Sequence, residues 1–403
     1  MAKIKILWLC EFSNEEKRSH LLLWRNNKGE LGQFIPNLVK GFEAADDRYE
    51  MHVVSAEGWL RKGYASWKSK GITYHCFQPG IPGLGYSFRL PFEAATHFYF
   101  NRRHIGHIID QVKPDLIHLF GAENPQYGSA VLGCDPRTPV LVTIQGFIHR
   151  EQFFHPSYNT RIRCKYEEKL LKQHMHFTGD YEAEAVVRRF NPAIHSFTPL
   201  YFPVNESLVS RTEPQPIKYD VFFAGVLTKA KGFGDFLELV RSLRQEKPDI
   251  RAGVAGYAHV YAEAVPFIEK HGLQKNVVWL GRFPSQEDLF KAYRQSKLFI
   301  APTYNDCFAS TLRENMLLGT PCVAYRTGGI PYANRDGAEN IVLVDQGDVK
   351  GLFERVLQLL NSETERTEIS VRAQAFAQQE FSLQANVEII KKEYARLLDT
   401  ASI

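Results

Sequence analysis

The chain has 403 residues, which is more than one ordinary hydrophobic core supports, so two domains are predicted. Its residues are 44% hydrophobic and 23% charged, with a formal net charge of +4. These values are typical of a globular protein and do not indicate one that binds nucleic acid. No apolar run is as long as a transmembrane helix, and the first ten residues are strand-like rather than signal-like. We therefore expect a cytoplasmic protein.

The first half of the chain alternates apolar strand-like runs with helical segments. Strands are predicted at 4–9, 52–54, 72–74, 115–121, 139–146 and 175–178. Such alternation predicts an α/β domain with a parallel sheet, whose strand carboxyl ends form the ligand crevice. An extended, Pro-rich stretch at 198–216 precedes a second strand-helix series from Tyr219, and a final helical pattern covers 383–398. We place domains at 1–205 and 206–382, followed by a C-terminal helix at 383–403.

Two stretches of the first domain interleave aromatic with basic residues, at 59–70 and 88–103. Aromatic rings suit the headgroup level of a membrane, and cations are attracted by anionic lipid. The composition therefore favours peripheral contact with the cytoplasmic face of a membrane. The alternative is a helix whose aromatic residues belong to the core and whose cations are solvated.

The stretch from 297 to 331 has the most specific pattern. A buried strand at 298–301 leads to a polar loop with Asp306, then to a short helix that carries Glu314 and ends at Gly319. The N–H groups at the start of this helix lack helical partners and suit a phosphate. Ionised carboxylates beside a phosphate site suit sugar hydroxyls. The pattern predicts a site for a diphosphate that carries a sugar at each end. The N–H groups belong to Ala309, Ser310 and Thr311.

The spacing from Asp306 to Glu314, an acidic residue and a Glu separated by seven positions, is followed by Pro321-x-Val-Ala and by the Gly328-Gly329 turn. It resembles the donor-site signature of family 4 retaining glycosyltransferases, the glycosyl transferases group 1, which have the GT-B fold. The family usually has Glu at both ends, and Phe-Gly where this chain has Phe308-Ala309. The resemblance implies that Asp306 contacts sugar hydroxyls and that Glu314 contacts the nucleotide ribose. The shorter Asp306 leaves the sugar contact undefined.

Other segments resemble the same family. Gly225 to Gly232 is similar to its Gly-Arg-x4-Lys-Gly loop, so the resemblance makes Lys231 a diphosphate ligand. Val226 stands at the arginine position, and Lys229 is a weaker candidate to replace it. Gly256 ends a strand. The resemblance assigns donor binding to Gly225, Lys229, Lys231, Gly256, Arg282, Phe283, Phe308, Ala309, Ser310, Thr311 and Glu314, with Arg282 and Phe283 at the nucleotide base.

In the first domain, the strand at 139–146 resembles a family strand that more often ends Thr-x-His-Gly. Gln145 stands at the histidine position, and His149 follows four residues later. Either side chain is a candidate for contact with the sugar. With His149 included, the proposed catalytic residues are Asp306, Glu314, Lys231 and His149.

The resemblance implies an α/β GT-B fold: two Rossmann-like α/β/α domains face a central cleft, and the C-terminal helix crosses back to the first domain. It implies a retaining, metal-independent hexosyltransferase without a cofactor, which uses a UDP- or GDP-sugar donor and a glycan or lipid-linked acceptor in cell-surface polysaccharide synthesis. Two alternatives stay open. One is a non-catalytic nucleotide-sugar binding protein, which the departures at Asp306 and Val226 would suit. The other is a GT-B nucleotide-sugar epimerase that uses His118 and His149.

Overall fold

A computed structural model describes residues 3–24, 34–43, 48–80, 93–151, 153, 156–256 and 262–401. The chain divides into two compact units. Unit 1 contains Met1–Pro203 together with Leu383–Ile403, and unit 2 contains Val204–Ser382.

Unit 1 is built on an eight-stranded sheet. Its strands are β1 (Ile4–Leu9), β2 (Tyr49–Ala56), β3 (Tyr64–Ser69), β4 (Ile72–Phe77), β5 (Leu116–Phe120), β6 (Val140–Thr143), β7 (His176–Gly179) and β8 (Ser196–Pro199). Its helices before the linker are α1 (Glu15–Ser19), α2 (Phe34–Lys40), α3 (Tyr99–Val112), α4 (Pro125–Val131), α5 (Ile148–Glu151), α6 (Tyr158–Gln173) and α7 (Tyr181–Phe190).

The strand order in unit 1 is β3-β4-β2-β1-β5-β6-β7-β8. All neighbouring strands are parallel except β3 and β4, which form an antiparallel pair at one edge. Every residue of β5 and β6 is buried, as expected for central strands covered by helices on both faces. Strands β2 to β4 lie on one side of β1, and strands β5 to β8 lie on its other side. The switch point between β1 and β5 is where ligands bind in sheets of this kind.

The aromatic and basic stretch at 59–70 contains strand β3 rather than a helix. Its side chains alternate between exposed and half-buried positions, because an edge strand has one solvated face. The helical alternative does not describe this stretch, whereas a helix does cover residues 99–103 of the second stretch. Of the second stretch, residues 88–92 lie outside the described residues, and α3 begins at Tyr99.

Unit 2 is built on a six-stranded, wholly parallel sheet. Its strands are β9 (Tyr219–Ala224), β10 (Ala252–Ala255), β11 (Val277–Gly281), β12 (Ser296–Ala301), β13 (Cys322–Tyr325) and β14 (Val342–Val344). Its helices are α8 (Glu206–Arg211), α9 (Phe233–Glu246), α10 (Ala264–Lys270), α11 (Gln286–Tyr293), α12 (Ser310–Leu318), α13 (Val349–Asn361) and α14 (Glu363–Glu380), with 3₁₀ turns at Lys229–Lys231 and Ile330–Asn334.

The strand order in unit 2 is β11-β10-β9-β12-β13-β14. Counted within the unit this is the order 3-2-1-4-5-6 of a dinucleotide-binding Rossmann sheet, and its switch point lies between β9 and β12. The two sheets, parallel except for the β3–β4 pair, confirm the prediction of an α/β fold.

The last helix, α15 (Leu383–Ala401), packs on unit 1. Its apolar residues join the core around Trp8, and the Trp8 indole N–H donates to the Tyr394 hydroxyl over 2.7 Å. Thr198 Oγ1 donates to Glu393 over 2.8 Å, and the Tyr201 N–H donates to Asn386 over 3.1 Å. The C-terminal helix is therefore part of the first unit.

Among the described residues, no helix combines the length and apolarity needed to cross a lipid bilayer.

Candidate active site

Three strands of unit 2 end in glycines at the carboxyl edge of the sheet. The Gly225 N–H donates to Ala255 O over 3.1 Å, and the Gly256 N–H donates to Gly281 O over 2.8 Å. Gly256 has a φ of +152°, and a Cβ there would collide with Gly225 O. Only glycine allows this approach. The edge therefore presents backbone rather than side chains where β9, β10 and β11 end.

The loop after β9 is fixed to the loop after β12 across the switch point. Gly232 has a φ of +69°, and a Cβ there would overlap the carbonyl of Pro302. The carbonyl of Ala230 accepts the N–H of Tyr304 over 2.8 Å. The two loops therefore hold the turn that carries Lys231 in one position.

Lys231 and Asp306 are in direct contact. The Lys231 ammonium donates to Asp306 Oδ2 over 2.6 Å and to Asn305 O over 3.1 Å. The two side chains are 36% and 20% exposed, so the pair is accessible to a ligand. Lys229 is exposed on the same turn. The structure thus brings together the residue predicted to bind the diphosphate and the one predicted to bind the sugar.

The Gly328-Gly329 turn after β13 packs against the loop that carries Asp306. Gly328 has a φ of +56°, and a Cβ there would overlap Asp306 O. The Gly329 N–H donates to Cys307 O over 2.6 Å. A side chain at Gly328 would push the loop away, so the turn sets the position of Asp306.

Helix α12 begins at Ser310. Ala309 is its N-cap residue and has no side-chain oxygen to cap it, so the N–H groups of Ser310 and Thr311 are available to a ligand. The helix ends at Gly319, which has a φ of +75°. Phe308 is buried and packs edge-on against Phe381 at a centroid distance of 5.4 Å. It supports the loop from the core side.

Glu314 is buried on α12, with only 8% of its surface exposed. Its Oε1 accepts a hydrogen bond from Gln286 Nε2 of α11 over 3.1 Å. Burial raises the pKa of Glu314 to about 7, and the Gln286 hydrogen bond and the Arg313 charge offset this only in part. Sequence reasoning missed Gln286, because a glutamine at the start of a helix is ordinarily solvated.

Arg282 and Phe283, predicted to meet the nucleotide base, follow the edge strand β11. Arg282 is exposed and Phe283 is half-buried. They share the carboxyl edge with Lys231, but β10 separates their strand from β9.

His149 belongs to unit 1, at the start of α5. Its Nδ1 lies 3.0 Å from Glu167 Oε2, and the same carboxylate accepts the N–H groups of Ile148 over 2.8 Å and His149 over 3.2 Å. Because a carboxylate only accepts hydrogen bonds, Nδ1 is the donor in this contact, and Glu167 orients the ring. Gln145 is half-buried before this helix.

Glu167 is a functional candidate that sequence reasoning missed. It is wholly buried on α6, on the same face as Ile162, Tyr166 and Leu170. The signal was available, since a glutamate within an apolar helical stripe requires a partner.

His118, on which the epimerase alternative relied, is a structural residue. It is wholly buried, its Nδ1 lies 2.6 Å from the Tyr394 hydroxyl, and its Nε2 lies 2.6 Å from Thr143 Oγ1. Burial lowers the pKa of His118 well below its usual value. Because both ring nitrogens have protein partners and the side chain is wholly buried, His118 is not placed to exchange protons with a substrate.

A charged cluster lies at the switch point of unit 1, after β1 and β5. Arg163 Nη2 donates to Glu123 O over 3.0 Å. Burial raises the pKa of Glu11, and the charges of Lys17 and Arg163 oppose that rise. Lys17 is buried and donates to Phe12 O over 2.9 Å and to Ala56 O over 3.0 Å. No spacing pattern in the sequence predicts this cluster, because its members lie after β1, after β5 and on α6.

Comparison with known proteins agrees with this geometry. The family described as Glycosyl transferases group 1 matches residues 204–376. The D-inositol 3-phosphate glycosyltransferase of Corynebacterium diphtheriae is 30% identical over 187 residues, which are 44% of this chain and 43% of that protein. The match thus spans less than half the length of this relative.

Two solved structures share the fold over nearly the whole chain. A sucrose-phosphate synthase from Thermosynechococcus elongatus has a TM-score of 0.76 at 15% identity and covers 99% of this chain and 100% of its own. Anabaena HepE, in complex with UDP and glucose, has a TM-score of 0.66 at 17% identity and covers 97% and 99%. The chain therefore has the GT-B fold, and its residues 204–376 are similar to the Glycosyl transferases group 1 family.

Proposed function

We propose that this chain is a retaining glycosyltransferase that moves a hexosyl group from a UDP- or GDP-sugar to a glycan or lipid-linked acceptor in cell-surface polysaccharide synthesis. The observation that carries the proposal is the contact between Lys231 and Asp306, 2.6 Å apart at the switch point of the unit 2 sheet. The uncapped start of α12 follows the same loop.

The donor diphosphate is bound by charge without a metal ion. Lys231 supplies a compact cation, and the N–H groups of Ser310 and Thr311 supply the positive end of the α12 dipole. These groups stabilise the negative charge that develops on the leaving nucleoside diphosphate. Glu314 accepts hydrogen bonds from the ribose hydroxyls, and Arg282 and Phe283 adjoin the base.

Unit 1 binds the acceptor in this proposal. The cluster of Glu11, Glu123 and Arg163 at its sheet switch point offers both acceptors and donors to a polyhydroxylated molecule. His149, oriented by Glu167, adds a further hydrogen-bonding group on unit 1. The similarity to a D-inositol 3-phosphate glycosyltransferase supports a hydroxyl-rich acceptor, and the UDP and glucose in HepE support a nucleotide-sugar donor.

The transfer itself exchanges one bond at the sugar. The bond from C1 to the phosphate oxygen breaks, and a bond from C1 to the acceptor oxygen forms on the same face. The acceptor proton passes to the departing phosphate, so no carboxylate base is required. This retains the anomeric configuration.

A panel of UDP- and GDP-sugars tests the donor site by thermal stabilisation, because a ligand that binds only the folded state raises the melting temperature. We expect one nucleotide series to stabilise the chain, and Lys231→Ala and Glu314→Ala to weaken binding of the nucleotide sugar and of the free nucleoside diphosphate together. Lys297→Ala is the matched control, since Lys297 forms a 2.7 Å ion pair with Asp220 at the opposite edge of the sheet. Unchanged nucleotide affinity in both site variants contradicts the assignment.

Product analysis separates the three functions. A transferase forms a glycoside and a nucleoside diphosphate only when an acceptor is present, an epimerase converts the donor alone into an isomer, and a binding protein forms neither. The anomeric coupling constant of the product, measured by NMR with and without EDTA, tests retention and metal independence.

A further inference from the structure

The proposed function assigns binding of the diphosphate to the Lys231 ammonium. Asp306 forms an ion pair with this ammonium and neutralises its charge. The ammonium donates to Asp306 Oδ2 over 2.6 Å and to Asn305 O over 3.1 Å. An ammonium has three N–H donors, so one remains for a ligand. A diphosphate bound by this lysine therefore also lies close to a carboxylate.

We propose that Asp306 is a specificity-determining residue, which favours the nucleotide-sugar donor over the nucleoside diphosphate that remains after transfer. This rests on the proposed function, namely that the unit 2 site binds a nucleotide sugar.

The discrimination follows from the charges of the two ligands. A nucleotide sugar has a diphosphate esterified at both ends, with about two negative charges, whereas the free nucleoside diphosphate has about three above pH 7 because a terminal phosphate ionises again near pH 6. Coulomb repulsion from the carboxylate grows with the charge of the ligand. Sugar hydroxyls, in addition, donate hydrogen bonds to a carboxylate, and the free diphosphate has none to donate there. Asp306 therefore disfavours the product more than the donor.

The loops keep the carboxylate in place when a ligand arrives. A Cβ on Gly328 would overlap the carbonyl of Asp306, and the Gly329 N–H donates to Cys307 O over 2.6 Å. On the other side, Ala230 O accepts the Tyr304 N–H over 2.8 Å. Since both loops are fixed, the short Asp306 side chain cannot move far from Lys231, and its repulsion acts on whatever that lysine binds.

Calorimetry at pH 8 with UDP and UDP-glucose, and with GDP and GDP-mannose, tests the inference. For the nucleotide pair that binds, we expect Asp306→Asn to raise the affinity for the free diphosphate about threefold to fivefold, as for removal of one partly exposed charge. The affinity for the nucleotide sugar should rise less or fall, so the preference for the donor declines. The change should disappear in the Lys231→Ala background, because it acts through that lysine.

Two control variants complete the design. Asp220→Asn removes the 2.7 Å ion pair with Lys297 at the opposite edge of the sheet, where the carboxylate is 23% exposed. This pair resembles that of Asp306 in length and exposure, and its loss should leave the preference for the donor unchanged. Asp306→Glu keeps the charge and should retain the wild-type preference.

The outcomes are distinct. Equal loss of affinity for both ligands in Asp306→Asn shows that the carboxylate only positions Lys231, and overturns the inference. A loss confined to the nucleotide sugar shows a sugar contact alone and overturns it too. Failure of the wild-type chain to bind any of the four nucleotides overturns the proposed function itself.

Discussion

At the scale of single residues, Glu314 combines burial with a proposed ligand role. Its carboxyl is enclosed beside Gln286, and burial raises its pKa to about 7. A carboxyl in this state is partly protonated near neutral pH. The ionised carboxylate is the better acceptor of hydrogen bonds from ribose hydroxyls. Binding of the donor at Glu314 should therefore lower its pKa and release a proton.

The raised pKa predicts a pH-dependent stability. Between its unfolded value near 4.5 and its folded value of about 7, Glu314 holds more proton in the folded state than in the unfolded state. The free energy of unfolding therefore falls as pH rises through this window, by at most about 3 kcal/mol in total. Glu314→Gln, which is neutral throughout, should lose this slope in urea titrations at pH 5, 6, 7 and 8. Parallel curves for the two proteins would contradict the burial of this carboxyl.

Residue-level prediction from the sequence succeeded where spacing carried the information. Lys231, Asp306 and Glu314 could be placed at one sheet edge, because each follows or adjoins the carboxyl end of a strand. Their roles as donor ligands stay predictions. Gln286 could not be found by spacing, since its partner Glu314 is distant in sequence. Glu167 could have been found, because it lies within an apolar helical stripe, but its partners could not. His118 was misjudged, because the sequence does not show that α15 covers it.

At the scale of elements, two short turns set the geometry of the unit 2 site. Gly232 holds the β9 loop against the β12 loop, and Gly328 holds the β12 loop against the turn after β13. Both glycines have a positive φ, and a Cβ on either would overlap a backbone carbonyl, that of Pro302 or of Asp306.

Gly232→Ala tests the first turn. A left-handed conformation costs an alanine about 1–2 kcal/mol, and the overlap with the Pro302 carbonyl adds a further cost. We expect a larger loss of stability than in Gly337→Ala, where φ is +78° and the space around a Cβ is open. Thermal or urea unfolding of the two variants measures the difference. Equal destabilisation would show that the contact with Pro302 is unimportant.

The edge strand β3 shows why element prediction failed locally. Its aromatic and basic residues alternate, and this alternation suits a membrane interface and a half-exposed strand equally well. Only its antiparallel pairing with β4, with Tyr64 opposite Phe77 and Ser69 opposite Ile72, decides the structure. The pairing depends on residues outside the stretch.

At the scale of the whole molecule, one surface of unit 1 supports the proposed membrane contact. We call it the Trp24 surface, formed by Leu22, Trp24, Arg61 and Lys62. Leu22 is 65% exposed and Trp24 is 69% exposed, and the Arg61 guanidinium lies 5.2 Å from the Trp24 ring. Backbone hydrogen bonds join the two segments, from Trp24 to Trp59 and from Arg61 to Leu22, each over 2.9 Å. An indole beside a cation is suited to an anionic lipid surface.

Vesicle sedimentation tests this surface. We expect the chain to bind phosphatidylglycerol vesicles at low salt and less as salt is added, and Trp24→Ala with Arg61→Gln to reduce the bound fraction severalfold. Val371→Ala, at a side chain 63% exposed in unit 2, should leave binding unchanged. The proposal is wrong if the wild-type chain stays in the supernatant at low salt.

The overall fold could be predicted further than the site. Alternating apolar runs and helical patterns are local properties, so they predict parallel sheets without knowledge of tertiary contacts. The charged cluster of unit 1 has no such local signature. Glu11 and Lys17 follow β1 whereas Arg163 lies on α6, and their proximity is a consequence of the folded sheet.

The path of the chain has a consequence for its synthesis. Helix α15 completes the core of unit 1 with Ile390, Tyr394 and Leu397, and the Tyr394 hydroxyl binds Trp8 of the first strand. On the ribosome, residues 1–203 are synthesised before unit 2, and this helix is synthesised after it. Unit 2, which is continuous in sequence, can finish folding earlier. The nascent first unit therefore exposes apolar surface for the longest time, and chaperones are expected to engage it there.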